Sequence, residues 1–216
     1  MHVCLVLKKS DYKNITKLNV GKIPLAIQGY IKALGQSEHI TEISIGLIED
    51  KSKLRIIRNK IISYCKNPFK ALDVLAFKIS KLYFLLDAKL NSLKIDGVIL
   101  RENDLILFEE KKIGEIILKQ TIDGFFSNTD LIQSQIKDIP LIHFFLRGSG
   151  LKIERGEILN NFSKFGLLSL HHGDNTINRG GPIGFWEIYF KESSGITSQL
   201  LNNTLDGGNT IYISRF

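Results

Sequence analysis

Only two cysteines occur in 216 residues. Cys4 and Cys65 lie far apart and form neither a CxxC pair nor a zinc-ligand spacing. That excludes a disulfide scaffold and a zinc finger, and it suits a reducing compartment. No apolar run approaches the ~18 residues that a membrane-spanning helix needs. Met1 leads straight into a strand-like run, with no basic segment and no small-residue cleavage site. A cytoplasmic protein with no membrane partner is the expectation. Glycine is missing where a dinucleotide-binding unit would carry GxGxxG; Lys8-Lys9-Ser10-Asp11 stands there instead. NAD or FAD at that point is disfavoured. The chain has no internal repeat, no low-complexity stretch and no dense basic block.

What is present is an ordinary globular composition, 44% hydrophobic and 24% charged. The length allows one large domain or two small ones. Such a chain buries roughly 70% of its unfolded surface, so it needs no metal or disulfide to fold. The net charge of +7 comes mostly from lysines spread over the whole chain. That pattern reads as a solvated surface, not a nucleic-acid groove, and it also suits an anionic small substrate. The abundance of Ile, Lys and Asn is also what an AT-rich genome produces.

In chain order, His2 to Leu7 predicts a strand buried on both faces. Ser10 to Asn19 is polar and reads as a loop. Pro24 suits the first position of a helix to about Leu34, with Gly35 as its stop. Ile43 to Ile48 is a second strand. From Lys53 to Leu93 apolar residues recur at three and four, broken at Asn67-Pro68, and predict two helices. The first of them is rich in Lys and Arg and reads as a solvated face, or, through Arg55 and Arg58, as a substrate clamp. Val98 to Leu100, Leu105 to Phe108 and Ile113 to Leu118 read as short strands at an edge, with Glu109 to Lys112 as a hairpin tip. Asp130 to Lys137 reads as a short helix capped by Asn128 or Thr129. Leu141 to Leu146 is a core strand, Gly156 to Phe162 a short helix, and Gly166 to Leu170 the next strand.

The stretch from Gly166 to Gly208 carries the chemistry. A strand runs into His171-His172-Gly173-Asp174. A Gly/Pro turn, an aromatic segment and Gly195-Ile196-Thr197 come next, and Asp206 sits on a glycine-flanked turn. A histidine at a strand terminus with a carboxylate on a distant turn suits general acid–base work. Each is equally a residue of a core strand or a turn when taken alone. A metal site from His171, His172 and Asp174, with His143, is the rival. Adjacent strand residues point to opposite faces, which weighs against it. No GxSxG elbow surrounds Ser169, which weighs against a serine nucleophile.

The order of these elements resembles the formyltransferase family that uses a formyl-tetrahydrofolate donor. Its signature is a strand ending Asn-x-His, a loop, Arg-Gly, a Gly-x-Thr strand and Asp-x-Gly. Here stand Ser169-Leu170-His171, Arg179-Gly180, Gly195-Ile196-Thr197 and Asp206-Gly207-Gly208. The resemblance covers roughly Leu131 to Phe216, and the earlier part is similar only in being α/β. It implies a single domain over 1–216, divergent over 1–125 and carrying the catalytic motif over 126–216. The implied fold is an α/β, Rossmann-like, three-layer domain with a mostly parallel twisted sheet.

The resemblance further implies transfer of a formyl group from 10-formyl-tetrahydrofolate to a primary amine of a small substrate, preferably an amino sugar. His171 then stabilises the oxyanion of the tetrahedral intermediate, and Asp206 helps move protons. The folate is expected against the backbone of Arg147, Gly148 and Gly150 and of Asn203, Leu205 and Gly207, with no metal. Ser169 stands where the family carries a catalytic Asn, and it offers one shorter hydroxyl donor in place of an NH₂. The Ser-Leu-Leu-Pro run that usually comes after the histidine is replaced by Gly173-Asp174-Asn175-Thr176. Only ten residues lie beyond Asp206, so no C-terminal barrel of the tRNA-acting kind and no nucleic-acid partner are expected. The alternatives are a formyl-tetrahydrofolate hydrolase and a catalytically degenerate binding protein of the same fold.

Overall fold

The computed structural model describes residues 1–48, 79, 100–123, 126–149, 153–154, 162–174, 176, 185–202 and 208–215. Proximity of Cα atoms divides the chain into two units, Met1–Glu49 with Ile99–Phe216, and Asp50–Val98. Of the second unit only Ile79 is described, as a helical residue. The expected helices between Lys53 and Leu93, and Arg55 and Arg58 with them, otherwise lie outside the described residues. So does the expected helix from Gly156 to Phe162, Phe162 excepted.

The first unit opens with β1 (His2–Lys8), α1 (Lys9–Thr16), α2 (Leu25–Gln36) and β2 (Glu42–Ile48). Then come α3 (Glu102–Glu110), β3 (Lys112–Asp123), β4 (Phe126–Ser134), β5 (Phe144–Arg147) and β6 (Ile153–Glu154). The last described elements are β7 (Leu167–His172), α4 (Phe185–Phe190), β8 (Gly195–Leu201) and β9 (Gly208–Arg215). The nine strands form one sheet in the order β6-β4-β3-β2-β1-β5-β7-β8-β9. The fold is therefore α/β, but its sheet is mixed. The central run β3-β2-β1-β5-β7 is parallel throughout. Antiparallel pairs flank it: β3 with β4, β7 with β8, and β8 with β9.

β1 forms because five consecutive apolar residues, Val3 to Leu7, have both faces to bury, and each is 0% exposed. Val3, Leu5 and Leu7 join Ile43, Ile45 and Leu47 in one core cluster, which takes in Ile27, Ile31, Leu105 and Phe108 from the helices. Cys4 and Val6 face the other way, into a second cluster with Ile116, Leu118 and Phe145. Burying each such large apolar side chain contributes roughly 1.5–3 kcal/mol.

Several local expectations are corrected. Ser10 to Asn19 is a loop only from Lys17 on: up to Thr16 it is α1, with Tyr12 and Ile15, three apart in the polar stretch, as its buried face. Gly35 does not stop α2, which runs to Gln36. A Cβ at Gly35 would stand 3.1 Å from both Asp104 O and Phe108 N, so this glycine lets α2 and α3 pack backbone to backbone. Lys111 Nζ donates to the carbonyls of Leu34, Gly35 and Ser37 and satisfies the end of α2.

Leu105 to Phe108 is helical, not a strand. Asp104 accepts the N–H of Arg101 at 3.0 Å and the amide of Gln36 at 2.8 Å, which caps α3 and ties it to α2. Of the four apolar residues only Leu105 and Phe108, at helical spacing, are buried; Ile106 is 50% exposed. Glu109 to Lys112 is therefore no hairpin tip, and Ile113 to Leu118 lies in an internal strand between β2 and β4. Asp130 to Lys137 is not a helix. Its first half belongs to β4, paired to β3 through Leu118↔Leu131 and Lys119↔Asp130. Among the described residues no helix is long and apolar enough to cross a membrane.

Candidate functional site

β5 and β7 run parallel with Phe145 opposite Leu167 and Leu146 opposite Leu168. Equal register sets their carboxyl ends side by side: Arg147 and Gly148 from one strand, Ser169, Leu170 and His171 from the other. A cleft of about 340 Å³ opens at these ends. Ala26 and Tyr30 of α2 and Ile196 of β8 complete its described lining. The position has a topological cause. From β1 the sheet is laid out one way through β2 and β3, and the other way through β5 and β7. Crevices at the carboxyl ends beside such a reversal are where open α/β sheets bind ligands.

The structure thus brings together four of the residues singled out from sequence: His171, Ser169, Arg147 and Gly148. Gly150, Asn203, Leu205, Asp206 and Gly207 lie outside the described residues. Ser169 is 3% exposed, while Leu170 beside it is 47% exposed and His171 is half-buried. His171 pairs with Thr197 across the β7–β8 ladder, so the histidine strand and the Gly-x-Thr strand are neighbours.

Gly148 has a packing reason in addition to its place at the cleft. A Cβ there would lie 2.6 Å from Val6 O and 2.7 Å from Leu7 Cδ2. The amides of Gly148 and Ser149 both donate to Val6 O at 3.0 Å. The glycine is needed by its neighbour β1 before any ligand is considered.

The turn after β7 is held firmly. Gly173 adopts φ +87°, a conformation that glycine takes without strain. Its N–H donates to Gly195 O at 2.7 Å, and its carbonyl accepts the Thr197 hydroxyl at 2.9 Å. Asp174 is buried, with one carboxylate oxygen accepting the amide and hydroxyl of Thr176 and the other accepting Arg215 Nε at 2.6 Å. The Thr176 bonds first, and then Arg215, hold this carboxyl below its usual range, against the effect of burial. Asp174 therefore anchors the loop to β9, which is a structural role. His143 lies at the other end of the strands. It precedes β5, its N–H donates to His2 O, and its ring Nδ1 accepts the His2 amide at 3.2 Å. The metal grouping of His171, Asp174 and His143 is thus not assembled. Among the described residues no three His, Cys, Asp or Glu side chains gather at a metal-binding distance.

Sequence reasoning missed Ala26 and Tyr30. A tyrosine on an amphipathic helix reads as core, and Tyr30 does pack against the core cluster while reaching the cleft. Burial pushes its phenol above the usual value, and the nearby Arg147 guanidinium pulls the other way. The spacing of Ala26 and Tyr30, one helical turn apart, was the available signal; what it faced depended on the sheet order.

The chain matches no protein-family model, no curated protein and no solved structure.

Proposed function

We propose that the protein is an enzyme that transfers a formyl group from 10-formyl-tetrahydrofolate to a primary amine of a small substrate, preferably an amino sugar. The observation that carries the reading is the parallel pairing of β5 and β7, which gathers His171, Ser169, Arg147 and Gly148 in one cleft. The parallel core of the sheet supports a Rossmann-like, three-layer reading, with the antiparallel strands as additions at its flanks. A cytoplasmic location and a small-molecule partner go with it.

The donor fits the residues present. A cleft of about 340 Å³ lies in the ~300–1,000 Å³ range of small-ligand sites. Ala26, Leu170 and Ile196 give its lining an apolar part that suits a planar ring. When bound, the donor supplies an activated formyl carbon. His171 donates to the formyl oxygen as it gains negative charge under attack by the amine. Asp206, placed by the resemblance, takes the proton that the amine loses on forming its new C–N bond. That proton returns to the folate nitrogen as the old C–N bond breaks.

The test is calorimetry with the donor, then turnover with a panel of amino sugars. No donor binding at millimolar concentration would sink the reading. His171→Ala should lower turnover ~10²–10³-fold, the cost of losing one oxyanion donor. Loss of the formyl group without any amine would favour the hydrolase. One observation favours the degenerate alternative: Ser169 is only 3% exposed. Donor binding with no turnover would decide for it.

A further inference from the structure

The cleft at the ends of β5 and β7 carries more than the reacting group requires. Of its described lining residues, Arg147 alone holds a permanent charge, and none is acidic. Tyr30 lines the same cleft as Arg147, and the guanidinium acts on its phenol. The remaining wall is mostly apolar, with Leu170 at 47% and Ile196 at 42% exposure open to a ligand. A cation beside a phenol donor is a pair suited to an oxyanion. Arg147 makes contacts of its own. A guanidinium carries five N–H donors, so it can serve a protein partner and a ligand together.

We propose that Arg147 and Tyr30 jointly bind an oxyanion, phosphate or carboxylate, carried by the amine acceptor, and so select acidic acceptors over neutral ones. The inference rests on the formyl-transfer reading only in calling that ligand the acceptor. Arg147 grips the anion by charge-assisted hydrogen bonds, and the Tyr30 hydroxyl, protonated at neutral pH, donates a further one. The Tyr30 ring covers the adjoining face of the ligand. Tyr30 is thus a binding residue, and His171 acts on the other end of the molecule.

The experiment titrates phenyl phosphate, benzoate and uncharged benzyl alcohol into the ¹⁵N-labelled full chain, following backbone amides by NMR. Expected are shifts at Gly148, Ser169 and Ile196, with both anions binding at least 10-fold tighter than the alcohol. Arg147→Gln should weaken the anions roughly 10- to 100-fold and leave the alcohol unchanged. Tyr30→Phe should weaken the anions less, and Tyr30→Leu should weaken all three probes. Should a variant fail to fold, the wild type still decides: anion affinity must fall as salt rises, and alcohol affinity must not. Equal binding of anion and alcohol, or shifts confined to other parts of the sheet, would overturn the proposal. A second titration adds folinate, a non-reactive formyl-folate. Phenyl phosphate retained beside bound folinate supports an anionic acceptor. Competitive displacement assigns Arg147 to the carboxylates of the donor and overturns it. If folinate does not bind at all, the formyl-transfer reading fails, while the oxyanion site is judged by the first titration alone.

Discussion

Replacing Gly148 by Ala separates two accounts of a glycine beside a binding cleft. In one, the missing side chain lets a ligand approach the backbone. In the other, the chain itself needs the space. The added Cβ would stand 2.6 Å from Val6 O, 2.7 Å from Leu7 Cδ2 and 3.2 Å from Leu5 Cδ1. The Leu7 methyl can turn aside. Val6 O cannot, because it belongs to a central strand paired on both sides and accepts two amides at 3.0 Å. Overpacking of this kind costs ~1–3 kcal/mol. Alanine also restricts the unfolded chain, which offsets roughly 0.4–1 kcal/mol. The net expectation is a loss of about 1–2 kcal/mol, taken as the middle of that difference. At about 2–4 °C per kcal/mol for a chain of this size, the midpoint falls by about 2–8 °C. Urea and thermal unfolding of the ligand-free protein, followed by circular dichroism, measure it. Gly21→Ala is the control, since a Cβ there meets nothing within 4 Å. Unchanged stability of Gly148→Ala together with lost ligand binding would refute the packing account.

The same geometry sets two further outcomes. Gly35→Ala should gain ~1 kcal/mol from helix propensity, yet its Cβ meets two backbone atoms of α3 at 3.1 Å. Because the Gln36–Asp104 and Lys111 bonds tie the helices, a net loss of about 1 kcal/mol is expected in urea unfolding; a net gain would show that α2 and α3 separate freely. His2 is buried with its Nε2 against Ser44 Oγ at 2.7 Å, and its imidazole is held below the ordinary 6.5, first by burial, although Glu42 pulls upward. The unfolded chain therefore binds a proton that the folded chain refuses just below pH 6.5, and stability falls as pH drops through that window. His2→Gln should flatten the difference between urea midpoints at about pH 7 and 5.5; the same loss in both chains would acquit His2.

Much of the candidate site was legible in the sequence because its residues lie close together along the chain. Ser169 and His171 share a strand, and Arg147-Gly148 ends the strand before it. Two apolar runs with polar ends predict parallel neighbours, and the structure pairs β5 with β7 in that way. The distant lining was not legible. Tyr30 lies 117 positions before Arg147, and only the order of strands brings its helix over the cleft.

Strands buried on both faces, β1 and β2, could be read from composition alone: a short, unbroken apolar run has nowhere else to go. Elements with one buried face could not. Leu105 to Phe108 has four apolar residues in a row, and a strand and a helix explain them equally well. What selected the helix was Asp104, capping Arg101 and holding Gln36, together with a place for Phe108 against the β1–β2 core. Asp130 to Ser134 was decided by the free edge of β3, whose backbone groups needed partners. Local hydrophobicity was thus enough for the parallel core and for the histidine at its carboxyl edge, because it sets which segments are buried throughout. The antiparallel flanks, the helical α1 and α3 and the wall of the cleft needed the assembled fold. There the competing local conformations are nearly equal in energy, and long-range pairing and packing choose between them.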